Sequence, residues 1–280
     1  MAGQRKLSKN AWKWAFYDWA NSGFATTVMA GFFPIFFKSF WAGDLEAAES
    51  TFVIGSVNSL IGLLIAISAP ILGAIADAGN TKKKFLFIFA ALGIAATGYL
   101  FFIPESSWKL AVVFYGLGVI GFSGGNIFYD SLIVSVSSPN ERNRTSSLGF
   151  SLGYLGGGLL FLLNVAMYLY PQWFGLSGPA DAVLWSFLSV AIWWFIFSMP
   201  LLLYVKESND LVEQENNNIV TKAFTNLLNT ARSVRNYKKV VIFLLAYFLY
   251  MDGVDTIIRM ATSYGSDIGL SASSMISALL

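Results

Sequence analysis

Long apolar stretches alternate with short polar connections along the whole chain. The pattern predicts seven membrane-spanning helices, at 14–40, 51–76, 85–104, 109–136, 147–170, 183–205 and 240–265, because crossing a bilayer takes about 20 apolar residues. A last apolar piece, Ser271–Leu280, is too short to cross and reads as a partial eighth span. Within the first stretch, Asp18, Asn21, Ser22, Ala25, Thr26 and Met29 fall at i, i+3, i+4, i+7, i+8 and i+11. Those offsets share one face of an α-helix, so a polar-to-small stripe runs down an apolar rod. Polar groups are costly against hydrocarbon. The stripe is therefore expected to face protein or a wet cleft.

Composition sharpens this picture. Hydrophobic residues make up 56% of the chain and charged residues 12%, against about 25% charged in soluble domains, and the mean hydropathy is +0.61. The expected fold class is an all-α, polytopic membrane protein. The chain contains neither Cys nor His. That excludes disulfide frameworks, thiolate or imidazole zinc sites, Ser-His-Asp hydrolysis and histidine proton relays. The N-terminus, MAGQRKLSKN, leads into a full-length span without a small-residue cleavage site and reads as a retained start.

Charge sets the expected orientation. On one side lie Arg5, Lys6, Lys9, Lys13, Lys82, Lys83, Lys84, Arg142, Arg144, Lys206, Lys222, Arg232, Arg235, Lys238 and Lys239; on the other lie only Lys38 and Lys109. Basic residues collect on the cytoplasmic side, which predicts a cytoplasmic N-terminus, with a bacterial inner membrane the simplest location. The expected organisation is a six-helix bundle over 1–205, a cytoplasmic linker over 206–239, and the start of a second bundle over 240–280. Ile219, Ala223, Leu227, Ala231 and Val234 recur at helical spacing in the linker and predict an amphipathic interfacial helix. Trp residues at 12, 14, 19, 41, 108, 173 and 185 lie near span ends, as interface anchors do. Gly149, Gly153 and Gly157 recur every four residues and predict close helix packing.

Three constellations carry candidate chemistry. Tyr17, Asp18 and Asn21 form one constellation in the first span; in the fourth, Asn126 and Asp130 share a face, and Asp130 stands at a depth similar to Asp18. Paired intramembrane carboxylates suit a gate, a proton site or a cation site, and the bland alternative is that each pairs with basic loop residues. In span seven Asp252, Asp255 and Arg259 share a face, with Asp255 and Arg259 at i and i+4. Arg259 is suited to a substrate carboxylate, leaving an acid to carry a proton. Finally, Gly73, Asp77, Lys82 and Lys83 mark a connection where Gly73 permits close helix approach and Asp77 can meet a helix dipole or a cation.

The last of these, GAIADAGNTKKK, resembles the signature loop of the major facilitator superfamily, with Ala78 where that family has Arg. Together with YDWANSGFATTVMAGFFPIFFK, FYDSL, SLGYLGGGLL, PLLLYVKE and YFLYMDGVDTIIRMA, it is similar to the vacuolar amino-acid effluxer (autophagy-related permease) branch of that superfamily, in a bacterial-type member. The resemblance implies a major-facilitator-type helical bundle, with twelve helices in two pseudo-symmetric halves and alternating access. It also implies secondary active transport of a small polar solute, amino acids by resemblance. Proton coupling is the accompanying expectation, with no cofactor, metal or nucleic acid involved. On this reading the C-terminal half is incomplete here and is expected in a full-length chain. Two alternatives are a truncated, non-transporting scaffold or relic and an intramembrane aspartyl protease. The protease reading takes Tyr129-Asp130 and Gly253-Val254-Asp255 as its motifs.

Overall fold

The computed structural model describes residues 7–207, 225, 228–229 and 232–279. Most of the linker, including Ile219, Ala223, Leu227 and Ala231 of the expected amphipathic helix, lies outside the described residues. Among the described residues, seven helices are long and apolar enough to cross a membrane. They are α1 (Lys9–Trp41), α2 (Ala47–Gly79), α3 (Lys82–Tyr99), α4 (Trp108–Ser131), α5 (Arg142–Leu169), α6 (Pro179–Tyr204) and α7 (Lys238–Asp267). A short helix, α8 (Ala272–Ala278), follows. Short connections make the first six helices successively antiparallel, and each end of the bundle is named here by α1: a Lys9 end and a Trp41 end.

Local signals fix the helix limits. Ser8 caps α1, its Oγ accepting from the Ala11 N–H at 3.0 Å, and Ser271 caps α8 by accepting from the Ser274 N–H. Asn80 ends α2 in the left-handed region at φ 49°, a conformation Asn tolerates. Pro179 opens α6, where its missing N–H costs nothing. In α1 the α-helical winding loosens into π-helical stretches, Phe24–Phe32 and Phe37–Trp41. Pro34 sits between them and has no N–H to offer the Ala30 carbonyl one turn back.

The changed winding splits Met29 from the stripe predicted on α1. Ser22 and Thr26 pack on the glycine face of α5, with Thr26 Oγ1 donating to the Gly157 carbonyl at 3.3 Å, while Met29 is buried in the aromatic core. An unbroken 3.6-residue period would have kept them in line; the π segment does not.

In hydrocarbon there is no hydrophobic drive between helices, so close packing and internal polar contacts must hold the bundle. Gly93 of α3 and Gly121 of α4 meet backbone to backbone, and a Cβ on Gly121 would overlap Gly93. Phe33, Phe37, Trp41, Tyr115 and Phe187 fill the core towards the Trp41 end, Phe33 stacking on Tyr115 at 3.9 Å. Trp14 and Trp41 are buried and donate to the carbonyls of Tyr129 and Ile103. They are core residues and not interface anchors, because their indole N–H groups find partners inside. Trp12, Trp173 and Trp185 are exposed, as anchors should be.

Candidate functional site

The predicted site residues fall into three groups. Towards the Lys9 end, α1 and α4 are pinned by a 2.6 Å hydrogen bond from Asn21 Nδ2 to Asn126 Oδ1. Next to it, Trp14 stacks on Tyr129 at 4.3 Å and Tyr17 tilts against Tyr129 at 5.1 Å. The Tyr17 and Tyr129 hydroxyls are buried without a hydrogen-bond partner among the described residues. Tyr17 approaches Trp194 and Asn21 without good hydrogen-bond geometry. Asp18 is half-buried, accepts a long 3.4 Å bond from Ser22 Oγ, and lies against Gly153 of α5. Asp130, on the exposed face of α4, is close enough for its charge to act on Asp18.

The second group lies in the half of the bundle nearer the Trp41 end. Arg259 Nη2 donates to Asp255 Oδ2 at 3.2 Å, and Arg259 Nη1 reaches Asn58 Oδ1 of α2 at 3.5 Å. The same Asn58 oxygen accepts from the Tyr115 hydroxyl of α4 at 3.1 Å. Asn58 is thus a junction for α2, α4 and α7, and its own Nδ2 is buried without a partner among the described residues. Asp252 lies on the exposed stretch of α7 and joins none of these contacts.

The signature loop forms the third group. Asp77 pairs with Lys82 at 2.7 Å. The first N–H groups of α3, at Lys82 and Lys83, donate to the two carboxylate oxygens of Glu207, and Lys83 Nζ donates to the Val205 carbonyl. A carboxylate from beyond α6 therefore caps α3, where the helix dipole favours negative charge. At Gly73 the expected close helix approach is absent among the described residues: a Cβ there would meet nothing within 4 Å.

Asn58, Tyr115 and Glu207 were not singled out from the sequence. Asn58 did carry a signal, being a lone amide in an otherwise apolar run, VNSLIGLL. Tyr115 and Glu207 carried none, because their roles depend on partners 57 and 124 to 125 residues away.

The fold is that of a major facilitator transporter. The structure is similar to a crystal structure of a D-xylose–proton symporter, with a TM-score of 0.60 at 17% identity, covering 96% of this chain and 64% of that one. The chain belongs to the family described as "Vacuole effluxer Atg22 like", matched over residues 44–138 and 134–280. Among relatives, it is 39% identical over 275 residues to an uncharacterized MFS-type transporter, YxiO, of Bacillus subtilis, covering 97% of this chain and 64% of the relative. It is 27% identical over 141 residues to Autophagy-related protein 22 of Yarrowia lipolytica, covering 42% of this chain and 22% of that protein. The chain thus spans 64% of the length of both YxiO and the symporter. Its homologues are transporters and not enzymes, which removes the aspartyl-protease reading.

Proposed function

We propose that this chain is the N-terminal portion of a secondary active transporter that moves a small polar solute, amino acids first among the candidates, in exchange with or alongside protons. The observation that carries this reading is the polar junction of Arg259, Asn58 and Tyr115. It joins α7 to α2 and α4 within segments that are otherwise apolar. A guanidinium retained there needs a function to offset its cost, and its planar fork suits a carboxylate. Asp255 holds Arg259 until a solute carboxylate takes its place, freeing Asp255 for a proton or for a solute amino group. Asp18 and Asp130 supply a second acidic locus towards the Lys9 end, where Tyr17, Asn21 and Asn126 hold the helices in register. The signature-loop residues Gly73, Asp77, Lys82 and Lys83 belong to gating at that end.

The charge distribution supports a cytoplasmic Lys9 end, in the inner membrane of a bacterium. The test is flux through the full-length protein in proteoliposomes loaded with an amino-acid mixture. Wild type should exchange labelled amino acids, and an imposed proton gradient should drive accumulation. Arg259→Lys, which keeps the charge but loses the fork, should reduce flux by about tenfold, matching an interaction worth about 1.4 kcal/mol. No flux of any amino acid in wild type would favour the scaffold reading and sink this one.

A further inference from the structure

At the Trp41 end, Lys38 closes a polar knot that ties three helices together. Its Nζ donates to Asp267 Oδ1 at 2.6 Å and to the Ser263 carbonyl at 3.1 Å. The other Asp267 oxygen accepts from Thr51 Oγ1 at 2.9 Å, and the Thr51 and Ser263 hydroxyls stand 3.4 Å apart. Lys38 belongs to α1, Thr51 to α2, and Ser263 and Asp267 to α7. The Lys38 side chain is only 10% exposed.

Deeper in, the same seam continues for about one more turn. Thr262 Oγ1 donates to the Ala30 carbonyl at 3.0 Å, the group that Pro34 leaves without its usual donor. Met260 packs beside Gly55. Beyond that α7 leaves the first bundle, and its length from Lys238 to Ile258 is almost wholly exposed. The seam between α7 and the first bundle is therefore shut at the Trp41 end and parted towards the Lys9 end.

We infer that the Lys38–Asp267 pair, braced by Thr51 and Ser263, is a latch that keeps the transporter shut at the Trp41 end and must part each time the cleft opens there. The inference rests on the transporter reading. The chemistry suits a contact made and broken in every cycle. Opening exposes both charges to water, which rehydrates them, so the net cost of parting stays modest. Removing one partner leaves the other charge uncompensated in the closed state and shifts the population towards open. A cavity of about 450 Å³, lined by Lys38, Ser39, Ser266 and Leu270 among others, lies beside the latch and gives the side chains room to separate.

Cysteine labelling tests this, since these 280 residues contain no Cys. In full-length protein without other cysteines, Gly55→Cys places a thiol under the latch, where a Cβ would meet only Met260, at 3.8 Å. Ala48→Cys, on the exposed start of α2, reports folding and shows which membrane face carries the latch. A membrane-impermeant maleimide is then applied from the face that labels Ala48→Cys. Gly55→Cys should react slowly in the parent and about tenfold faster with Lys38→Ala or Asp267→Asn, the factor expected from an ion pair between surface and buried in worth. Thr51→Val should give a smaller rise. The charge swap Lys38→Asp with Asp267→Lys should return the rate towards the parent's. No acceleration in any variant that keeps the parent's Ala48→Cys rate would overturn the latch. Flux without acceleration would overturn the latch alone; acceleration without flux would overturn the transport reading and leave a conformational latch standing.

Discussion

Asn21 and Asn126 are the pair most exposed to a decisive test, because Asn21 is buried between α1 and α4 and Asn126 is only partly exposed. Their 2.6 Å hydrogen bond is the side-chain to side-chain link between the first and fourth helices here, beside the bond from the Trp14 indole to the Tyr129 carbonyl. Interhelical hydrogen bonds in membranes are worth about 0.6 kcal/mol on average and at most about 1.7. A double-mutant cycle with Asn21→Ala and Asn126→Ala, followed by reversible unfolding in mixed micelles, should return a coupling energy in that range. Strict additivity would mean that the contact is not formed in the bilayer. The pair illustrates how far residues could be read from sequence. Asn21 and Asn126 were both visible as amides in apolar spans, each beside a carboxylate, but nothing in the sequence paired them with each other. Asn58 was equally visible and was passed over, because its importance comes from its partners and not from a local pattern. Lys38 was read only as a stray charge on the far side, since its partner Asp267 lies 229 residues away.

At the scale of elements, α1 and α5 are held by glycines whose effects differ by position. A Cβ on Gly156 would sit 2.6 Å from the Trp19 carbonyl oxygen and its ring, whereas Gly158, two residues on, faces open space. Gly156→Ala must push the helices apart or displace the indole, a change that costs about 1–3 kcal/mol in a packed core. Gly158→Ala meets nothing and should leave stability unchanged or raise it by up to about 1 kcal/mol through helix propensity. Thermal unfolding of the two variants in detergent should separate them clearly, and equal melting temperatures would show that the α1–α5 seam is looser than described. Helix number and type were legible because a span of about 20 apolar residues has few other solutions. The fate of the α1 stripe was not, because periodicity arguments assume 3.6 residues per turn throughout. Asp18, Ser22 and Thr26 stay in line along α5, but the π-helical winding that starts at Phe24 broke that assumption beyond them and turned Met29 into the aromatic core. Pro34 left the Ala30 carbonyl for Thr262, so a local defect in α1 became an anchor for α7.

For the whole molecule, what matters is how the first six helices meet the seventh. Among the described residues, contact is confined to the half nearer the Trp41 end, where Thr51 and Ser263 bring their hydroxyls within 3.4 Å. Cysteine sulfurs at the two positions would stand close to where those oxygens are, so a small side-chain rotation brings them to the S–S length of about 2.05 Å. In the full-length protein, Thr51→Cys with Ser263→Cys should cross-link under mild oxidation and migrate faster on non-reducing gels than either single variant. If the Trp41 end must part for solute to pass, the oxidised protein should lose most of its flux and regain it on reduction. The reduced double variant should transport near the rate of the two single variants. Full flux through the cross-linked protein would mean that α2 and α7 stay together through the cycle, and the route for solute would have to be sought elsewhere. Failure to cross-link would mean that the two helix ends are not neighbours in the membrane, which would remove the closed seam itself. Loss and recovery together would make the Trp41 end a moving part, and the Arg259–Asn58 junction beneath it the place where a solute waits for it to open.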